Sequence, residues 1–242
     1  MRVGSEWQDR TRLLIGDEGL ERLRNANVMV AGLGGVGAYA AEQLARAGIG
    51  KMTIIDSDIV NTTNKNRQLI ALDGTIGRKK VEVMAERIRD INPDIELEPL
   101  DIYLKDQNII DITARPFDFI VDAIDTMAPK VFLLYYAVQN KRNIVSCMGA
   151  GGRFHPEKIE ITDISKSYNC RLAFYIRKRL HHLGIRDGIT VVFSPEKVDD
   201  KAVTVEEEQT ANKVATVGTI SYMPAVFGCF CASHVINSIL SR

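Results

Sequence analysis

Cysteine is scarce in this chain, and none of it is arranged for metal or disulfide chemistry. Cys147, Cys170, Cys229 and Cys231 are the four in 242 residues, and no two form a C-x-x-C pair. That pattern signals neither a zinc site nor a disulfide framework, and it points to the reducing cytoplasm. Net charge is also missing: 31 Lys and Arg balance 31 Asp and Glu, so no overall field favours a polyanion. The N-terminus, MRVGSEWQDRTRLL, lacks the apolar run of a secretion signal. One late stretch, Val217 to Leu240, is apolar enough to consider as a span, but Pro224, Gly228, His234 and Asn237 interrupt it. It is expected to be a buried C-terminal helix entered at Pro224, with no membrane as partner. Internal repeats and low-complexity tracts are absent as well.

What is present is an alternation of strands and helices. Apolar runs at 27–32, 52–56, 95–102, 118–122 and 143–147 alternate with helical segments at 36–47, 78–91, 106–114 and 128–140. Such alternation predicts an α/β fold, Rossmann-like, with a mostly parallel sheet covered by helices on both faces. Residues 1–26 read as an arm and a short helix, and 27–152 as the nucleotide-binding part. Residues 153–242 read as a C-terminal extension of strands and helices within the same domain. Two strands, KIEITDI and GITVVFS, flank the basic helix RLAFYIRKRLHHLG there, and PEKVDDKAVTVEEEQTANK is expected to be a mobile loop.

Residues 28–37, VMVAGLGGVG, place a glycine loop directly after the first strand. Gly32 would permit the tight turn, Gly34 would admit a phosphate to the backbone, and Gly37 would let the helix close on the strand. Gly35 lies in the same loop. The helix that follows offers free N–H groups and a positive dipole end. Asp56 closes the second strand, where a carboxylate would hold ribose hydroxyls. Asp58 is either a second nucleotide contact or a turn former.

A glycine loop and Asp56 would suffice for a nicotinamide-dependent oxidoreductase, but two further blocks have no role in one. These are NKNRQ at 64–68 and GRKKVE at 77–82. Cleaving ATP between its α- and β-phosphates builds charge on the leaving pyrophosphate, so it needs fixed cations and a metal-holding carboxylate in one place. Arg67 and Lys80 are the candidate cations, and Asn64 and Gln68 the candidate polar positioners. The run DAID at 122–125 closes another strand with two carboxylates, of which Asp122 is either a ligand or a cap for the turn.

Together AGLGGVG, IDSDIVNTTNKNRQ, GRKKVE, INP and DAID resemble the ubiquitin-activating-enzyme-like adenylyltransferases, the ThiF/MoeB family, from about Arg10 to Ser241. The resemblance implies ATP and Mg²⁺ as cofactors, with Asp125 as the metal ligand. It also implies a homodimer in which Arg12, in DRTRLL, reaches across to the partner's phosphates. Within the family, AERIRDINP, GAGG, ITDISKS, VVFSPEK and VGTISYMPAVFG are similar to the branch that dehydrates threonylcarbamoyladenosine in tRNA. That branch implies modified tRNA as partner, met by Arg171, Arg177, Lys178 and Arg179 through phosphates. In that helix Leu172, Ile176, Leu180 and Leu183 would face the core. The GAGG turn at 149–152 either holds the acyl-adenylate or needs glycine only for its dihedrals. Two departures separate the chain from sulfur-carrier-activating relatives: it lacks their paired zinc cysteines and a cysteine in the 196–216 loop. Cys170 beside Arg171 is either an exposed thiol with a lowered pKa or, as expected, a partly buried cysteine without chemistry, and Cys229 and Cys231 are expected to be core. Adenylation of a small sulfur-carrier protein is the alternative activity, and a sulfur-transfer protein is a further partner the resemblance admits.

Overall fold

A computed structural model describes residues 6–205 and 215–241. Its centre is a seven-stranded sheet in the order β3-β2-β1-β4-β5-β7-β6. In chain order the strands are β1 (Asn27–Ala31), β2 (Lys51–Ile55), β3 (Glu96–Leu100), β4 (Phe119–Asp122), β5 (Ile144–Cys147), β6 (Glu160–Asp163) and β7 (Thr190–Phe193). All neighbours run parallel except β6, which pairs antiparallel with β7. The central strands are buried along their length, as their unbroken Val/Ile/Met runs require of strands covered on both sides. Residues after 153 therefore extend the same sheet.

The helices are α1 (Asp9–Asn25), α2 (Gly37–Ala47), α3 (Lys80–Ile91), α4 (Asp106–Ala114), α5 (Met127–Gln139), α6 (Arg171–His182) and α7 (Tyr222–Leu240). Two apolar clusters lie on opposite faces of the sheet. One gathers Leu23, Leu44, Met84, Phe227 and Val235 from α1, α2, α3 and α7. The other gathers Ile109, Leu133, Leu134 and Ile176 from α4, α5 and α6. The doubly covered sheet read from the alternation is the fold observed.

Helix α7 is long and apolar enough to cross a membrane by length and composition. Here it packs against α2, with Met223, Phe227, Cys231 and Val235 buried. Gly228 makes that packing close, since a Cβ there would lie 2.5 Å from the Val36 carbonyl oxygen.

Three expectations need correction. The N-terminal arm is helical: α1 is broken at Gly16 (φ 72°), so 9–15 form a separate helical piece ahead of the docked part. The supposed mobile loop carries β8 (Val203–Val205), paired antiparallel with β9 (Ala215–Val217), while 206–214 lie outside the described residues. Cys229 is exposed whereas Cys231 is buried, because two steps along a helix turn a side chain to nearly the opposite face.

Candidate active site

Strand order reverses between β1 and β4, whose next connections run to opposite edges of the sheet. Open α/β sheets bind ligands at such a point, beyond the carboxyl ends of the strands. The glycine loop leaves β1 there. Gly32 has φ +88°, and a Cβ on it would lie 2.7 Å from the Ala123 carbonyl oxygen. A Cβ on Gly37 would fall 1.8 Å from the Gly32 carbonyl oxygen, so any side chain would push α2 off the loop. At Gly34 the nearest atom to such a Cβ is Gln68 Nε2, 3.9 Å away, which leaves the backbone open on that side.

Asp56 ties the loop to the end of β2. One carboxylate oxygen accepts from the Leu33 N–H at 2.6 Å and the other from the Asp58 N–H at 2.8 Å. Burial raises its pKa, with the Lys80 charge and those two N–H groups acting in the opposite direction. Its first structural task is thus to shape the loop. Asp58 pairs with Lys80, Nζ to Oδ2 2.8 Å, and its own carbonyl accepts the Lys80 N–H at 3.0 Å. Lys80 is 5% exposed, held on the first residue of α3 rather than waving in solvent. This is a preorganised cation beside a carboxylate, the arrangement electrostatic catalysis needs.

The NKNRQ block lies over the same loop. A Cβ on Gly35 would lie 3.4 Å from Arg67 Cγ and 2.9 Å from Pro224 Cβ at the start of α7. Arg67 donates to the Thr63 carbonyl at 3.1 Å and to Asn66 Oδ1 at 2.8 Å. Asn64 is buried and closes its own turn by accepting the Asn61 N–H at 3.1 Å. Gln68 is 8% exposed, and its Oε1 is buried with no hydrogen-bond partner. Such an orphan is costly unless something donates to it.

At the end of β4, Asp122 is fully buried. Its Oδ1 accepts the Ile124 N–H at 3.1 Å, and its Oδ2 accepts from Ser146 Oγ at 2.6 Å and Lys130 Nζ at 2.7 Å. That makes Asp122 the turn former of the two alternatives. Asp125, three residues on, follows the turn into α5. Among the described residues no three His, Cys, Asp or Glu gather as a metal cage. Asp125 would suit Mg²⁺, which is usually bound through one or two protein carboxylates, and would not by itself make the cage a structural zinc needs.

The GAGG turn follows β5. Gly152 donates its N–H to the Gly218 carbonyl at 2.7 Å, and Asn66 Nδ2 donates to Thr219 O at 3.0 Å, so the 217–219 segment links turn and NKNRQ block. Arg153, 3% exposed, donates to the Gly149 carbonyl at 2.8 Å and to the Glu196 carbonyl. Glu196 Oε2 in turn accepts the His155 N–H at 3.0 Å. These struts, like Lys130 and Ser146, escaped sequence reading. The signal for Lys130 was a single charge inside the apolar run MAPKVFLLYYAV.

Arg12 lies on the helical arm, paired with Asp9 and, at 2.9 Å, with Asp17. The elements that build the nucleotide cluster do not include that arm. Cys170 is 4% exposed, more deeply buried than the partly buried thiol expected. The Cys231 thiol is held well above the usual range by its hydrogen bond with Cys147 and by burial, and burial raises that of Cys229. Cys170→Ser is therefore expected to keep a substantial share of activity. A folded but wholly inactive variant would point to a covalent thioester.

The sequence matches the ThiF family model over residues 8–242. The chain belongs to the ThiF family. It is similar to the tRNA threonylcarbamoyladenosine dehydratase of Bacillus subtilis, 35% identical over 241 residues, with 96% of this chain and 93% of that protein covered. The Haemophilus influenzae protein of the same name is 37% identical over 234 residues, covering 93% and 90%. Among solved structures, the Escherichia coli tRNA threonylcarbamoyladenosine dehydratase in complex with ATP superposes with a TM-score of 0.89. The two are 34% identical, and the match covers 100% of this chain and 98% of that one. The glycine loop, Arg67, Lys80 and the DAID run meet at one strand reversal.

Proposed function

We propose that this chain is an ATP-dependent dehydratase that cyclises threonylcarbamoyladenosine in tRNA through an acyl-adenylate. The observation that carries this is end-to-end similarity to dehydratases, in sequence and fold, joined to a site that holds the parts adenylation needs. The substrate carboxylate attacks the α-phosphorus of ATP and pyrophosphate leaves. An atom of the same modified nucleoside then attacks the activated carbonyl, closing a ring and releasing AMP. No thiol is needed, in keeping with the buried Cys170 and Cys231.

Each group has one task. The Gly32–Gly37 loop and the α2 N-terminus receive phosphate. Asp56, besides shaping that loop, meets the ribose, and Gln68 and Asn64 orient the nucleotide. Arg67 and Lys80 stabilise charge on the leaving pyrophosphate. Asp125 holds Mg²⁺, which neutralises the phosphates when bound. ATP with Mg²⁺ is accordingly expected to bind while NAD does not. Calorimetry showing tight NAD binding and none for ATP would overturn that.

The active unit is a homodimer, and Arg12 acts on the partner's phosphates. In support, the arm leaves Leu13 at 88% and Leu14 at 85% exposure, apolar surface that a second subunit would cover. Cytoplasmic residence fits the free thiols.

The RNA would lie along α6. Arg171, Lys178 and Arg179 are exposed there, with Phe174 and Tyr175 exposed between them and Arg171 over the Tyr175 ring. Single-stranded RNA is gripped by this combination of cations and stacking rings. Arg177 is excluded from that task, since it turns inward to the Ser167 carbonyl at 2.7 Å. The apolar stripe also differs from expectation: Ala173, Ile176 and Leu180 are buried and Leu183 is exposed. Replacing Arg171, Lys178 and Arg179 together by alanine should weaken anticodon stem-loop binding and flatten its salt dependence, measured by fluorescence anisotropy. An unchanged salt slope would place the RNA elsewhere.

The test of the whole reading is substrate-dependent pyrophosphate release, the step both readings share. Modified tRNA should stimulate it strongly, and a sulfur-carrier protein ending in glycine should not. The reverse outcome would favour the carrier reading and a sulfur-transfer partner.

A further inference from the structure

Lys130 is 0% exposed, on the first turn of α5, amid residues that are otherwise apolar. Nothing in the adenylation chemistry above uses it. Its Nζ bonds Asp122 Oδ2 at 2.7 Å and also donates to the Ile124 carbonyl at 3.1 Å. Asp122 Oδ1 accepts the Ile124 N–H at 3.1 Å. The two charged side chains therefore grip the donor and the acceptor of the same residue. The Ile124 carbonyl belongs to the peptide that leads into Asp125, so its direction sets the plane from which Asp125 projects. Ser146 Oγ, at 2.6 Å from Asp122, anchors the pair to β5. On the other side, the Ile124 nitrogen is 3.2 Å from where a Gly32 Cβ would stand, so the turn is wedged against the glycine loop.

Stability alone does not explain such a pair. Replacing a buried ion pair by apolar residues of similar volume is often neutral or stabilising, whereas removing one partner is strongly destabilising. What an apolar pair cannot do is bind both polar atoms of Ile124 and fix one peptide orientation.

We infer that Lys130 is a positioning residue: with Asp122 it locks the Ile124–Asp125 peptide so that Asp125 meets the Mg²⁺–ATP complex in one geometry. The inference rests on the proposed role of Asp125. Groups that orient a metal ligand typically contribute about 10- to 100-fold in metal affinity or activity.

The test uses the full-length protein and two double variants, both neutral at the pair. Asp122→Asn with Lys130→Met keeps an acceptor for the Ile124 N–H but removes the donor to its carbonyl. Asp122→Asn with Lys130→Gln retains an amide donor. Pyrophosphate release with modified tRNA, its Mg²⁺ dependence, AMP binding by calorimetry in EDTA and thermal unfolding are measured for each. The Met variant should melt cooperatively and bind AMP within about twofold of wild type, yet lose about 10- to 100-fold in kcat and need about tenfold more Mg²⁺. The Gln variant should fall between it and wild type. Adding Asp125→Ala to the Met variant should cost nothing beyond Asp125→Ala alone, because both act through one group.

A folded Met variant with wild-type kcat and Mg²⁺ dependence would overturn the inference. So would AMP affinity falling in step with kcat, or failure of both double variants to fold, since either makes Lys130 a structural residue. An Asp125→Ala protein with full activity would instead sink the parent assignment of Asp125, so the two failures are distinguishable.

Discussion

Asp125→Ala is expected to lose about 100-fold or more in pyrophosphate release with modified tRNA, while still binding ATP with reduced affinity. The reason is the division of labour around the strand reversal. The glycine loop, Asp56 and the NKNRQ block would surround the proposed nucleotide from β1, β2 and the segment after β2. Asp125 stands apart from them on the β4–α5 turn, and among the described residues no group of three or more His, Cys, Asp or Glu gathers there. Binding thus rests on many contacts, but charge stabilisation on the phosphates rests on few. Removing the carboxylate spares the first and removes part of the second, so kcat falls more than affinity. Near-normal pyrophosphate release by a folded Asp125→Ala protein would remove Asp125 from the metal role.

An equally large effect is expected from Arg12→Ala and Lys80→Ala, each inactive alone and partly restored by mixing. Lys80 is fixed within its own chain by Asp58 at 2.8 Å and by burial on α3. Arg12 belongs to the arm ahead of the Gly16 break, whose leucines 13 and 14 face outward. In the proposed homodimer that arm would be covered by the other subunit, and the Asp9 and Asp17 pairs would hold the Arg12 side chain until phosphate competes for it. A heterodimer of the two variants then carries one intact site, Lys80 from one chain and Arg12 from the other. With free exchange and independent sites, about half the dimers are mixed and half their sites work, so about a quarter of wild-type specific activity returns. If exchange is confirmed and nothing returns, Arg12 acts within its own chain or not at all.

The parts of this site that were legible in the sequence are those whose meaning is local. Gly32 and Gly37 occupy positions where a Cβ would strike backbone a few residues or one strand away, and such demands leave glycines at fixed spacing. Asp56 directly follows β2 and Asp125 lies three residues past β4, strands whose apolar runs are themselves visible. The alternation that gave the sheet is likewise a property of short windows. What could not be read depends on a partner distant in the chain or on direction. Asp122 and Lys130 lie eight positions apart across a turn, and their pairing is invisible until the turn folds. Arg177 looks like the other cations of α6, yet its position on the helix turns it towards Ser167. Cys229 and Cys231 share an apolar neighbourhood, but only the second lies on the buried stripe of α7. The Val203–Val205 hairpin strand sits in polar sequence and is three residues long, too short for periodicity to register.

The central claim, that this chain closes the ring of threonylcarbamoyladenosine at the expense of ATP, is tested most directly by mass spectrometry of nucleosides. Substrate tRNA is incubated with the protein, ATP and Mg²⁺ and then digested under conditions that preserve the cyclic product. The account predicts that the threonylcarbamoyladenosine signal is replaced by one lighter by a single water, and that omitting ATP prevents the change. An unchanged nucleoside, from protein that binds ATP and is folded, would contradict it.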